Sequence, residues 1–345
     1  MFRTKYAAIV VAIIAGMLST NCTRTVEYIY QDVTLSDEYV TGYPVGNPGP
    51  YIQEMMESVM RITNTSYYTI YHFHPGDQIR PEDLHHHESL EAISRGEASL
   101  QSSAAGTAVV IYSDRSRVGM LTSLHVVAGP DTTYQFYENQ PEYLESVTVK
   151  DEEVNWLIDS HYMGTFEVLA FDASADIAFI GTELGFEGHR DEDLFPVFPY
   201  DFGSPEELTL GTFTYHFGFP RGYPVVTTGL VNDPNRDRHH SFITDALFNP
   251  GFSGGVVVAI RGGVPQFEWV GMARSASASR EWLVVPDEDL ADEHLSEYPY
   301  EGELYIKERA RIDYGITHII PATRIQNFLD EHSSALRRQG YRVRF

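Results

Sequence analysis

A long series of short β-type runs begins near residue 106 and limits this chain to a few architectures. Each run is rich in β-branched and aromatic residues, and turn residues such as Gly, Pro, Asn and Asp follow it. The main runs lie at residues 107–112, 120–122, 146–149, 166–170, 177–180, 208–217, 225–231, 241–244, 256–260, 269–273 and 315–320. Many short strands with little helical periodicity predict an all-β domain, a barrel or a sandwich. Apolar residues at near-helical spacing in 321–338 predict one C-terminal helix.

The first 22 residues have the layout of an export signal. Arg3 and Lys5 precede an apolar run at 7–18, which is shorter than the roughly 20 residues that span a bilayer. Cys22 stands where a bacterial lipoprotein signal has its lipidated cysteine, although Asn21 replaces the usual small residue. We therefore expect export to the bacterial cell envelope (periplasm or outer membrane), with a membrane anchor on Cys22. Secretion after a plain signal peptide is the alternative.

Composition excludes several classes of partner and site. The chain has 24 Lys and Arg against 49 Asp and Glu, a net charge of −25, so we expect no nucleic-acid partner. A single cysteine excludes an intrachain disulfide and a cysteine-based zinc site. The histidines at 85–87, with His72 and His74, form either a metal site or a solvated loop. We favour the loop, and we expect no metal and no cofactor.

Three segments each place one reactive side chain at the edge of a short apolar run. They are Thr-Ser-Leu-His125-Val-Val, Asp172-Ala-Ser-Ala-Asp176-Ile-Ala, and Asn-Pro-Gly251-Phe-Ser253-Gly-Gly. A serine alcohol needs a base within hydrogen-bond reach, and a carboxylate orients the imidazole that serves as this base. Asp176 leads directly into a β run, so we prefer it to Asp172, which more plausibly ends a turn.

The glycines around Ser253 fit the same chemistry. The backbone N–H groups of Gly251 and Ser253 are candidate donors for the negative oxygen of an acyl-transfer intermediate. The segment also satisfies the G-x-S-x-G pattern of α/β-hydrolases, which needs a helix after the serine. The run at 256–260 is β-branched, and this disfavours the hydrolase elbow.

Together and in this order, the three segments resemble the catalytic blocks of trypsin-like serine proteases, most closely the bacterial HtrA/Deg-type branch. Phe217-Gly-Phe-Pro, Thr227-Thr-Gly-Leu-Val, Val270-Gly-Met and the 315–321 segment resemble further stretches of that branch. The resemblance covers roughly residues 52–335. It implies two packed six-stranded antiparallel β-barrels with His125 as general base, Asp176 as its partner and Ser253 as nucleophile. It also implies that Gly251 and Ser253 form the oxyanion hole.

The resulting domain plan has four parts, with no room for the PDZ domain that most of that branch carries. They are a signal peptide (1–21), a tether (22–51), a protease domain (52–335, with barrels at about 52–185 and 205–320), and a C-terminal helix and tail (321–345). The acidic segment 286–303 is expected to be a surface insertion. Residues 74–100 are expected to form a loop with a short helix at 90–100.

Two departures from the family pattern bear on the pocket: Leu124 replaces the usual alanine before the histidine, and Phe252 replaces the usual asparagine before the serine. The resemblance places Leu247 at the base of the primary pocket and the strand around Met272 and Ala273 in its wall. An apolar base favours cleavage after small or medium apolar residues. We expect an exported serine endopeptidase that acts on proteins or peptides; the alternative is an inactive binding protein with the same fold.

Overall fold

The computed structural model describes residues 37–86, 89–158, 163–184, 195–286 and 304–343. The signal peptide, Cys22, and most of the acidic segment 286–303 therefore lie outside the described residues. So do residues 87 and 88 and the side chains of residues 85 and 86. The described chain is mostly β with a helix near its end, and the all-β fold class is confirmed.

The first half of the chain forms an antiparallel sheet with eight described strands. They are β1 Val59–His72, β2 Gly96–Ser113, β3 Arg117–Ser123, β4 Thr132–Tyr137, β5 Gln140–Ile158, β6 Met163–Thr165, β7 Glu167–Asp172 and β8 Ile177–Glu183. The pairing order is β4-β5-β1-β2-β3-β8-β7, with β6 beside β5. This sheet is a half-barrel, with more strands than the six expected.

The second half closes into a six-stranded antiparallel barrel. Its strands are β9 Phe213–Gly218, β10 Val225–Asp233, β11 Phe242–Thr244, β12 Val256–Ile260, β13 Phe267–Pro286 and β14 Leu304–Pro321. They pair in the order β10-β11-β14-β13-β12-β9. The two halves have the trypsin-like arrangement that the sequence predicted.

Helices are few among the described residues. They are α1 Gly49–Glu57, α2 Leu124–Val127 and α3 Ala322–Arg338, with short 3-10 turns at Pro75–Asp77, Pro81–His86, Pro205–Glu207 and Pro220–Gly222. Helix α3 follows Pro321 and buries Ile325, Phe328, Leu329 and Leu336. These side chains join one hydrophobic cluster with strands of both sheets, so the helix packs where the two halves meet.

The tether and the first long loop both differ from expectation. In the range 22–51, Tyr39 is buried and residues 38–40 pair with the barrel, since Val40 N–H donates to Ile260 O at 2.9 Å. A helix was also expected within 90–100. Instead β2 begins at Gly96, because β1 extends to His72 and offers a partner as far as the His72–Gly96 pair.

Candidate active site

Pairing between β3 and β8 brings His125 and Asp176 together. Ser123, the last residue of β3, lies opposite Ile177, the first residue of β8. The chain continues from Ser123 into α2, which carries His125, and Asp176 immediately precedes β8. One strand register thus places two residues that are far apart in sequence within bonding distance.

Asp176 makes two hydrogen bonds to His125. Its Oδ2 lies 2.7 Å from His125 Nδ1, and its Oδ1 accepts the His125 backbone N–H at 2.9 Å. The Asp176 side chain is 9% exposed and that of His125 is 48% exposed. The Asp176 φ of +59° is a left-handed conformation that aspartate tolerates better than most residues. Asp176 therefore fixes the ring at its Nδ1 edge, while about half of the His125 side chain is exposed to solvent.

Asp172, the competing carboxylate, caps a turn. Its Oδ1 accepts N–H groups from Ser174 and Ala175, and its Oδ2 lies 3.0 Å from Arg324 Nη2. Burial acts to raise the pKa of Asp172, but hydrogen bonds from Ser174 and Ala175 and the nearby arginine outweigh it, so that this pKa is lowered. Among the described residues Asp172 makes no hydrogen bond to His125.

Ser253 completes the chain of hydrogen bonds. It lies between β11 and β12, and its Oγ is 3.0 Å from His125 Nε2. The same hydroxyl lies 3.0 Å from the backbone oxygen of Arg274, a second acceptor for its proton. Ser253 is 7% exposed. The structure thus brings His125, Asp176 and Ser253 together in one linear array.

The turn before Ser253 needs glycine at 251. Gly251 has a φ of +105°, and an added Cβ would lie 2.5 Å from Phe219 O. Within the described part of the chain, the N–H groups of Gly251 and Ser253 make none of the protein hydrogen bonds. The turn that carries the serine hydroxyl thus has two backbone donors available to a ligand.

Thr107 clamps this turn from the neighbouring sheet. Its hydroxyl donates to Gly251 O at 2.7 Å and accepts the Phe219 N–H at 2.9 Å. Its backbone N–H donates to Ser253 O at 2.9 Å. Thr107 is fully buried on β2, so the clamp is shielded from water. We did not expect this role from the sequence, in which Thr107 is only one member of a β run.

Arg274 is a second residue that the sequence analysis did not assign to the site. Its Nε lies 3.4 Å from Asp176 Oδ2, and its side chain is 49% exposed. The guanidinium thus forms an ion pair with the carboxylate that also binds His125. The only signal for it was its place at the end of the Val270-Gly-Met segment.

The pocket prediction needs correction at two positions. Met272 and Ala273 are 0% and 1% exposed and lie in two different hydrophobic clusters, because both faces of β13 are covered here. Their side chains do not line an open wall, whereas Leu247 is 59% exposed. Phe252 is buried beside Phe248, with ring centroids 6.0 Å apart, so it fills the interior.

In the described part of the chain, no three His, Cys, Asp or Glu side chains are grouped as metal ligands. Within the same residues, no helix has the length and apolar character needed to cross a bilayer.

Comparison with known proteins agrees with this architecture. Residues 106–265, which contain His125, Asp176 and Ser253, match the family described as "Trypsin-like peptidase domain". No curated protein matches the chain in sequence. The fold is that of the trypsin-like serine proteases, and the family match supports a protease.

Three solved structures are similar at low sequence identity. The active form of the Rv3671c protease from M. tuberculosis is 15% identical over 85% of this chain and 88% of its own, with a TM-score of 0.42. An inactive serine-to-alanine mutant of Rv3671c is 14% identical over 86% and 97%, with a TM-score of 0.43. A serine endoprotease from Yersinia pestis is 15% identical over 87% and 70%, with a TM-score of 0.40.

Proposed function

We propose that this protein is a serine endopeptidase that hydrolyses peptide bonds through an acyl-enzyme intermediate. The observation that carries the proposal is the unbroken array from Asp176 through His125 to Ser253, at 2.7 and 3.0 Å. Serine is a poor nucleophile unless a base takes its proton as it attacks. The array supplies such a base and a carboxylate that orients it.

In the first half of the reaction, Ser253 Oγ attacks the substrate carbonyl carbon and its proton passes to His125 Nε2. Asp176 holds the Nδ1–H and stabilises the imidazolium that forms. The N–H groups of Gly251 and Ser253 bind the negative oxygen of the tetrahedral intermediate. His125 then returns the proton to the leaving amine, and the peptide's acyl group remains on Ser253.

In the second half, water replaces the amine. His125 Nε2 takes a proton from the water as its oxygen attacks the ester, and the second tetrahedral intermediate uses the same two N–H groups. Its collapse breaks the ester bond and returns the proton to Ser253 Oγ. Because the His125 side chain is about half-exposed, the leaving amine and the incoming water can reach it.

Specificity and location form a further part of the proposal. The exposed, apolar Leu247 supports cleavage after small or medium apolar residues. The signal-type pattern before Cys22 supports export to the cell envelope with a lipid anchor, as in an HtrA/Deg-type protease. Mass spectrometry of casein cut sites tests the preference. A lipid mass on the Cys22 peptide, absent from Cys22→Ala, tests the anchor.

A fluorophosphonate probe, which reacts with activated serines, tests the proposed activity. We expect it to label the wild type and the control Ser102→Ala, which removes an exposed hydroxyl on β2, but not Ser253→Ala. Ser253→Ala and His125→Ala should each lower kcat on casein peptides by about 10⁴- to 10⁶-fold. If a folded wild type is not labelled, the inactive binding protein is the correct interpretation.

A further inference from the structure

A cleft of about 510 Å³ opens next to the proposed triad. Arginine and histidine side chains dominate its lining: Arg236, Arg238, Arg274, Arg324, His239 and His318. Ala175, the neighbour of Asp176, also lines it. In a chain with 24 basic and 49 acidic residues, four arginines lie around this one cleft, and three of them pair with the carboxylates of Asp233, Asp176 and Asp172.

Each guanidinium keeps hydrogen-bond donors that the protein does not use. An arginine has five N–H donors. Arg274 directs only its Nε toward Asp176, and Arg238 directs only its Nε toward His239 at 3.0 Å. Among the described residues, Arg238 has no carboxylate partner within 4.0 Å. The remaining donors of both side chains are available to a ligand.

The acidic groups near the cleft are already engaged by the protein. Asp237, the one carboxylate among the described residues of its lining, accepts the backbone N–H groups of His239 and Ser241 at 2.8 and 3.2 Å. Burial acts to raise the pKa of Asp237, but hydrogen bonds from Ser241 and His239 lower it overall. Asp172 is engaged in the same way by its own turn and by Arg324. Asp233 and Asp172 pair with Arg236 and Arg324, each at 3.0 Å, and these single contacts leave further N–H donors on both guanidinium groups.

The pKa of His318, which also lines the cleft, responds to the nearby arginines. Its pKa is lowered first by burial and then by the charges of Arg236 and Arg274. Its Nδ1 lies 3.2 Å from Arg236 Nη1, a contact in which the neutral ring acts as acceptor. The two arginines, and not the burial, are the part of this effect that would attract a negative group.

We infer that this arginine-lined cleft is a substrate subsite that binds a carboxylate side chain of the peptide close to the scissile bond. The inference rests on the proposed peptidase function and adds the substrate class to it. Arg274 ties the cleft to the reaction centre, because its backbone oxygen contacts Ser253 Oγ and its guanidinium contacts Asp176. Ala175, the residue before Asp176 in the chain, also lines the cleft.

The test uses octapeptides from casein cut sites, made in pairs that differ only by Glu or Gln at one position. We expect the wild type to cleave the best Glu peptide about tenfold faster in kcat/KM than its Gln partner. The double variant Arg236→Gln/Arg238→Gln should reduce this ratio to below about twofold. Arg80→Gln, which removes an exposed charge outside the cleft, should keep the full ratio.

A second measurement separates failure of this inference from failure of the proposed function. Calorimetric titration of the Ser253→Ala protein with the same pairs requires no turnover, and the Glu peptide should bind about tenfold more tightly. Equal cleavage and equal binding of each pair by an active enzyme would overturn the subsite alone. Absent cleavage and absent probe labelling would overturn the peptidase proposal, and the binding ratio would still decide the subsite. If the double variant Arg236→Gln/Arg238→Gln keeps the preference for Glu over Gln, the subsite inference is also overturned.

Discussion

Single side chains near Ser253 have roles that depend on backbone geometry as much as on their own chemistry. Asp176 reaches both the ring and the backbone of His125 from a left-handed conformation, which fixes its direction. Arg274 Nε contacts the same Asp176 oxygen, Oδ2, as the His125 ring. Thr107 makes no contact with the proposed triad side chains, yet it holds the oxygens of Gly251 and Ser253. We therefore assign Thr107 as a positioning residue for the turn that carries the oxyanion donors.

Replacing Thr107 by valine keeps its shape and removes the hydroxyl. The Gly251 oxygen then loses its donor, and the Phe219 N–H loses its acceptor. One such buried hydrogen bond contributes roughly 1 kcal/mol, so we expect kcat to fall about fivefold with little change in KM. Steady-state kinetics on a casein peptide measure both constants.

Thr107→Ser is the matched control, since it restores the hydroxyl and deletes only a methyl group. It should recover most of kcat. A purely structural role for Thr107 predicts instead that kcat follows the fraction of folded protein in both variants, and urea unfolding of the same samples would reveal this.

Turns between strands hold the site through close backbone approach. Gly254 has a φ of +86°, and an added Cβ would lie 2.0 Å from Thr107 O and 2.4 Å from Thr122 Oγ1. Neither oxygen can move freely, because Thr122 Oγ1 donates to Thr107 O at 2.7 Å. The turn after Ser253 therefore packs against β2 and β3 with no space for a side chain.

Gly254→Ala should lower the free energy of unfolding by about 3 kcal/mol or more, from the backbone strain and the clash together. Gly211→Ala is the matched control, since Gly211 also has a φ of +86° but nothing within 4 Å of the added Cβ. It should cost only about 1 kcal/mol, for the left-handed backbone alone. Urea unfolding measures both, and similar losses at the two positions would contradict the close-packing argument.

Part of this local arrangement was predictable from the sequence. The residues His125, Asp176 and Ser253 stand beside short strands whose patterns are visible in the sequence. The resemblance to trypsin-like proteases placed the strand around Met272 and Ala273 in the pocket wall. Both are buried, because the barrel interior covers one face of β13 and packed elements cover the other. No pattern along one strand can reveal what covers its two faces.

For the molecule as a whole, His216 inside the barrel is a buried ionisable group that makes the stability depend on pH. It is 2% exposed, and its Nε2 lies 3.0 Å from Thr214 Oγ1 and 3.4 Å from Thr244 Oγ1. Burial lowers the pKa of His216 to about 3. The folded protein thus keeps this ring neutral at any pH near neutrality.

The folded pKa of His216 is below the ordinary value of about 6.5, so the unfolded chain binds the extra proton as the pH falls from 6.5 toward 3. The stability from the neutral ring is therefore complete above pH 6.5 and is lost progressively below it. At pH 5 the expected loss is about 2 kcal/mol. Urea unfolding at pH 7.5 and 5.0 measures it.

His216→Gln keeps a polar group of similar reach and does not titrate. Between pH 7.5 and 5.0, the free energy of unfolding of this variant should fall by about 2 kcal/mol less than that of the wild type. Equal losses in both proteins would mean that other groups dominate the acid sensitivity. The comparison stands even if the variant is less stable overall, because only the pH dependence enters.

The linear pattern of residues was enough to define the class of fold and the chemical type of the candidate site. Strand runs, turn residues and the three short segments are local, and local patterns reflect backbone preferences that act over a few residues. Register and packing over long distances decided which side chains meet. Examples are the β3–β8 pairing, the clamp from Thr107, and the four arginines that three separate segments bring to one cleft. Those contacts depend on how strands stack and which faces become covered, and no stretch of neighbouring residues carries that information.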